Sequence, residues 1–145
     1  MADKLQLWWV FALLSAFFAA LTTIFAKIGI KDVNSDLATA IRTIVILLIA
    51  WGIVFWRGQL GGLATLSRTA LIFLILSGIA TGLSWIFYFR ALQMGEASLV
   101  APIDKSSLAL ILVMSVIFLG EPLTWKSALA AILVTAGTLV SIWGK

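Results

Sequence analysis

The sequence predicts an all-α membrane protein with five transmembrane helices. Three observations predict it. Of the 145 residues, 63% are hydrophobic and 11% charged, whereas a soluble domain is nearer half apolar and a quarter charged. The mean hydropathy of +1.16 agrees. Five apolar runs approach or exceed the roughly 20 residues that a helix needs to cross hydrocarbon. Short breaks rich in polar residues, glycine or proline separate them.

The first run covers residues 7–28, and its apolar stretch is longer than the core of a secretory signal. "MADK" before it is barely basic, so the helix is expected to stay in the mature chain even though "SAFFAA" is small enough to be cut. "KDVNSD" (31–36) is a polar turn in which Asp36 or Ser35 can cap the second helix, expected over 37–56. "RGQLGGLATLSR" (57–68) is the longest loop, and its glycines suit a break. The third helix is expected over 69–92, and "QMGEAS" (93–98) stops it at Gly95 and offers Ser98 as the next N-cap. The fourth is expected over 98–119, and "GEPL" (120–123) turns the chain, with Pro122 blocking continuation. The fifth is expected over 124–143. Trp8, Trp9, Trp56, Trp125 and Trp143 lie near span ends, where indole rings favour the interface.

Five spans put the termini on opposite sides and sort the loop charges into two sets. One side carries Lys4, Arg57, Arg68 and Lys126, and the other carries Lys27, Lys31, Arg90 and Lys145. Orientation normally follows an excess of Lys and Arg in cytoplasmic loops, and this tie supplies none. Either a small count ties by chance or one loop dominates, or the chain inserts both ways up and opposed copies pair. Inverted-topology halves around a midplane site build many transporters, so a five-span chain without bias can supply both halves of a ten-helix inverted-repeat assembly.

Arg42, Asp104 and Lys105 are the charges well inside the spans. Each costs about 2.5–3.5 kcal/mol at a helix centre on insertion scales. Such residues face the bundle interior, pair, and mark a pathway. Arg42 is six residues past Asp36 and Asp104 six past Ser98, about 9 Å along helices that start on one side. An Arg42–Asp104 ion pair is therefore expected. Lys105 points about 100° away from Asp104 and is left for Glu96 or a bound anion, unless it snorkels to the interface as part of a purely structural arrangement. Pro102 is either an ordinary first-turn proline or it frees the Ser98 carbonyl toward a polar cavity.

On the third helix, Trp85, Tyr88 and Arg90 form either an aromatic pocket wall with a polar tip or part of an interfacial belt. Gly78 and Gly82 there, and Gly137 with Ser141 on the fifth helix, are small-x-x-x-small pairs that permit close helix contact. Glu121 is expected to hold its turn through backbone donors or Lys126.

Several function classes are excluded. The ten basic residues are scattered singly, without the one-sided cluster of a nucleic-acid surface. Cysteine and histidine are absent, which removes thiolate chemistry and the commonest base and metal ligand. No paired-carboxylate or phosphate-loop constellation is present, so no enzyme, cofactor or metal site is expected.

"AKIGIKDVNSDLATAIRTIVILL" (26–48), with Arg42 early in the second helix, and "ALQMGEASLVAP" followed by "FLGEPLT" resemble a single EamA domain, the five-helix half of drug/metabolite transporter superfamily proteins. The resemblance covers essentially the whole chain, taken as one domain over 1–145. Most such transporters carry two domains in one chain. The resemblance therefore implies the small five-span bacterial or archaeal branch and pairing with a second copy or a related five-span chain. It implies transport of a small molecule across the bilayer and names no substrate. The leading expectation is a secondary transporter, working as an antiparallel homodimer in the cell's inner membrane and moving a metabolite with an anionic group. A lipid-linked anion flippase and a non-transporting accessory subunit are the alternatives.

Overall fold

The computed structural model describes residues 7–143. Lys4 and Lys145, which enter the charge tie, lie outside the described residues. The chain is helical, with α1 (Trp8–Gly29), α2 (Ser35–Trp56), a 3-10 segment (Gln59–Thr65), α3 (Arg68–Met94), α4 (Ala97–Lys105), α5 (Ser107–Leu119) and α6 (Trp125–Ile142). With α4 and α5 taken together, five helical spans are long and apolar enough to cross a membrane. The shortest has 18 residues, about 27 Å at the helical rise.

Local chemistry sets the ends. Asn34 caps α2, its Oδ1 accepting from the backbone N–H of Asp36 at 2.8 Å and of Leu37 at 3.3 Å. Neither Asp36 nor Ser35 is the cap, because the helix starts two residues earlier than the apolar pattern suggests. Ser98 is likewise not a cap. It lies inside α4, whose N-cap Glu96 makes no side-chain capping bond. Gly58 turns the chain out of α2 with φ 62°, the left-handed region that favours glycine. Ser67 Oγ accepts from Ala70 N at 3.1 Å and so starts α3. The fourth span is broken, and the break lies at Ser106 rather than at Pro102. Pro102 sits inside α4, where its ring removes the donor for the Ser98 carbonyl. The chain then tightens, with Ser106 N and Ser106 Oγ both donating to Ile103 O at 3.1 and 2.6 Å.

The chain divides into two compact units, Met1–Lys27 with Met94–Lys145, and Ile28–Gln93. In the first, α6 packs along α4 and α5, and Lys27 Nζ at the end of α1 donates to Gly95 O at 2.8 Å. Ala26 and Thr138 are buried there. In the second unit, Gln93 Nε2 donates to Ile30 O at 3.1 Å and to Val33 O, using both amide hydrogens to close the α1–α2 connection onto the end of α3. Its buried residues are Ile30, Ser35, Thr39, Phe89 and Leu92. Beyond Thr39 on α2, and before Phe89 on α3, no residue is buried. Leu48 and Phe73, exposed by 66% and 68%, are typical. In water such a surface is untenable. In hydrocarbon it carries no penalty, because lipid tails are as apolar as leucine.

Candidate functional site

The second unit holds a cation in an unusual setting. α2 carries Ser35, Thr39 and Arg42 at spacings of four and three, which returns all three to nearly one face. Ser35 and Thr39 are buried. The Thr39 hydroxyl donates to Ser35 O at 2.9 Å, and the Thr43 hydroxyl to Thr39 O at 2.9 Å. This back-bonding satisfies polar groups inside an apolar helix. At the inner end of the stripe, the Arg42 guanidinium carbon stands 3.8 Å from the centroid of the Trp85 ring and 4.6 Å from that of Phe89. Trp85 and Phe89 are one helical turn apart on α3, with centroids 6.0 Å apart. Tyr88 meets Phe89 edge to face, at 6.2 Å and 79°.

A cation over aromatic faces is attracted by their negative quadrupole, by about 0.5–2 kcal/mol as water is excluded. The ring contacts attract the charge and supply no oxygen acceptor for the guanidinium N–H groups. Arg42 Nη1 is buried and has no hydrogen-bond partner among the described residues. Buried polar atoms without partners are rare and call for an explanation.

The structure thus brings Trp85 and Tyr88 into one cluster with Arg42 in the second unit. Trp85 lies nine residues before the end of α3, about 14 Å inside the helix, and its ring faces the guanidinium. Arg90 is not part of the cluster. It is exposed, and it points about 100° away from Phe89.

Asp104 and Lys105 belong to the first unit. Lys105 Nζ stands 3.2 Å from Asp104 Oδ2. The neighbour that was expected to point away is the partner, because the long lysine stem bends back across the angle between the two Cα–Cβ directions. Asp104 is seven residues past the first residue of α4, as Arg42 is of α2. On α6, the buried Thr138 Oγ1 lies 2.9 Å from both Pro102 O and Val134 O. It thereby ties α6 to α4 beside the proline. Ser141 Oγ donates to Thr138 O at 2.7 Å. Within its own unit, a methyl group added at Gly78, Gly82 or Gly137 would meet no other described atom within 4 Å. Between α5 and α6 runs an open apolar groove of about 590 Å³, lined by Ala109, Leu112, Val116, Ala128, Ala131 and Leu139 among others. Its chemistry suits hydrocarbon and offers nothing to a polar ligand.

The profile of the EamA-like transporter family matches residues 6–143. The chain belongs to that family. It is also 47% identical, over 135 residues, to a Sinorhizobium protein described as an uncharacterized transporter in the cobO 3' region. The match spans 93% of this chain and 96% of that relative. No solved structure matches.

The turn in the EamA-like pattern "FLGEPLT" has a clear structural basis. Gly120 adopts φ 66°, which allows its N–H and that of Glu121 both to bond back to Ser115 O. Thr124 then caps α6 in a reciprocal capping box with Ser127. Glu121 thus serves the turn through its own backbone N–H. Sequence reasoning missed Ser35, Thr39 and Phe89. The four-three polar spacing ending on Arg42, and the four-residue spacing of Trp85 and Phe89, are the signals that reveal them. Thr138 was also missed, since nothing in the sequence sets it apart from Thr135 and Ser141 on the same helix.

Thr138→Val tests the tie to α4. It keeps the shape and removes the hydroxyl. Interhelical hydrogen bonds in membranes average about 0.6 kcal/mol. A drop in unfolding free energy of that order in detergent is expected, and no change would show that the bond to Pro102 O contributes nothing.

Proposed function

We propose that this protein is a small secondary transporter that exports a metabolite bearing an anionic group across the inner cell membrane, with no enzymatic step. It works as an antiparallel, dual-topology homodimer, or with a related five-span chain in the same role. Membership in a transporter family supports the class. The observation that carries the anionic preference is the buried, unpartnered Nη1 of Arg42. Asp104 and Lys105 cancel each other locally, whereas no ion pair compensates Arg42 among the described residues. Trp85 and Tyr88 line the path beside it. The balanced loop charges and the five spans support inversion, since the same chain turned over supplies the second half of an inverted repeat. Gly78 and Gly82, or Gly137 and Ser141, offer the close-approach surfaces at which two copies meet.

Two measurements test this reading. The chain has no cysteine, so a Gln59→Cys variant and a cysteine appended after Lys145 each report without background. Labelling of about half the molecules from each side is expected for both sites, and one-sided labelling overturns dual topology. For transport, proteoliposomes are loaded with a bacterial metabolite extract and the outer medium is followed by mass spectrometry. At least one organic anion is expected to leave faster than from protein-free vesicles, and no accelerated metabolite overturns the transporter reading.

A further inference from the structure

We infer that the ligand held at Arg42 is an organic monoanion with a flat apolar body, of the aryl carboxylate kind, rather than a zwitterion, a phosphate or a polyol. This rests on the transport reading above and narrows it. The donors and charges around the guanidinium in its unit define what it can hold. The nearby hydroxyl hydrogens are committed. Thr39 donates to Ser35 O and Thr43 to Thr39 O, and Ser35 Oγ is directed at Asp36 Oδ1, 3.4 Å away. The unspent donors are on Nη1 of Arg42. That nitrogen carries two diverging N–H groups in the guanidinium plane, and a carboxylate oxygen accepts a charge-assisted hydrogen bond from one of them. A polyol, which needs many partners, finds too few.

The charge balance selects among anions. One cation neutralises one negative charge, so a phosphate dianion would leave net charge in hydrocarbon, where each charge is costly. A zwitterion would bring an ammonium beside a guanidinium, and within this unit Arg42 has no carboxylate partner to receive it. The walls complete the description. Trp85 and Tyr88, each partly exposed beside Arg42 with the buried Phe89 behind them, offer ring surface that packs a flat body well. Trp85 and Phe89 also stand against the guanidinium, so an anion approaches it from the side that they leave open.

The test is calorimetric titration of the full-length protein in detergent with four probes: benzoate, phenylalanine, phenethylamine and inorganic phosphate. Benzoate is expected to bind at least tenfold more tightly than the other three. Arg42→Gln is expected to weaken benzoate at least tenfold, and Arg42→Lys, which keeps the charge and loses the planar fork, to fall between. Circular dichroism and monodispersity check that both variants fold. Tighter binding of phenylalanine or phosphate, no binding of benzoate, or binding indifferent to Arg42→Gln each overturns the inference. The two readings fail separately. If the vesicle experiment shows flux of a neutral, cationic or zwitterionic metabolite, the protein is a transporter and the ligand assignment is wrong. If benzoate binds through Arg42 and nothing is transported, the site stands and the transport reading falls.

Discussion

Arg42→Met is expected to abolish efflux of labelled benzoate from proteoliposomes while leaving the protein as stable as before or more so. The opposite signs are the point. A purely structural arginine holds its partners together, so its removal destabilises. This one is half-buried, with one buried nitrogen that has no partner among the described residues, and a buried donor left unsatisfied costs about 1–3 kcal/mol. The ring contacts at 3.8 and 4.6 Å return part of that, about 0.5–2 kcal/mol. Methionine fills most of the same length, so the cavity penalty of truncation to alanine is avoided. On the functional side, a hydrogen bond to a charged group is worth about 1.5–3 kcal/mol, a factor of roughly 10 to 150 in binding. Flux is expected to fall by at least that factor. A variant that melts several degrees lower and still transports would show that Arg42 supports the packing of α3 and binds nothing. Sites held at the expense of stability are where such trade-offs appear.

The helices were legible because hydropathy and length decide them. Every expected span lies within two residues of the observed one at each end. Their caps were less legible. Asn34, Ser35 and Asp36 are three consecutive residues that can each cap a helix, and only backbone geometry selects the first. The Ser106 break was hidden behind the more conspicuous Pro102, four residues earlier. At the candidate site, Arg42, Trp85 and Tyr88 were identifiable as individual residues, and Arg42's setting was not. A search for its partner looks for opposite charge, and a count of charges does not register the negative face of an indole. Lys105 was assigned away from Asp104 on helical angle alone, which treats a four-carbon stem as rigid. Angles fix where a side chain begins and leave a lysine several ångströms of freedom in where it ends.

Asp104 and Lys105 carry the second large expectation, and it concerns insertion. Their charges sum to zero over 3.2 Å, inside a span, about 10 Å from the start of α4. Neutralising one strands the other. A lone charge near a helix centre costs about 2.5–3.5 kcal/mol on insertion scales, and less toward the ends. Asp104→Asn or Lys105→Gln alone is therefore expected to lower the membrane-inserted fraction about tenfold or more, measured by a glycosylation reporter on the following loop. The double variant Asp104→Asn/Lys105→Gln is expected to insert at least as well as the parent, because two neutral amides replace two charges. The side chains are exposed by 35% and 57%, respectively, which sharpens the alternative. Equal insertion of both single variants and the double would mean that the pair faces water in a cavity, where each charge is hydrated and needs no partner. Benzoate efflux by the double variant then separates the two roles. Retained efflux assigns the pair to insertion and leaves recognition to Arg42, whereas loss of efflux in a well-inserted double variant places the pair on the path that the substrate takes.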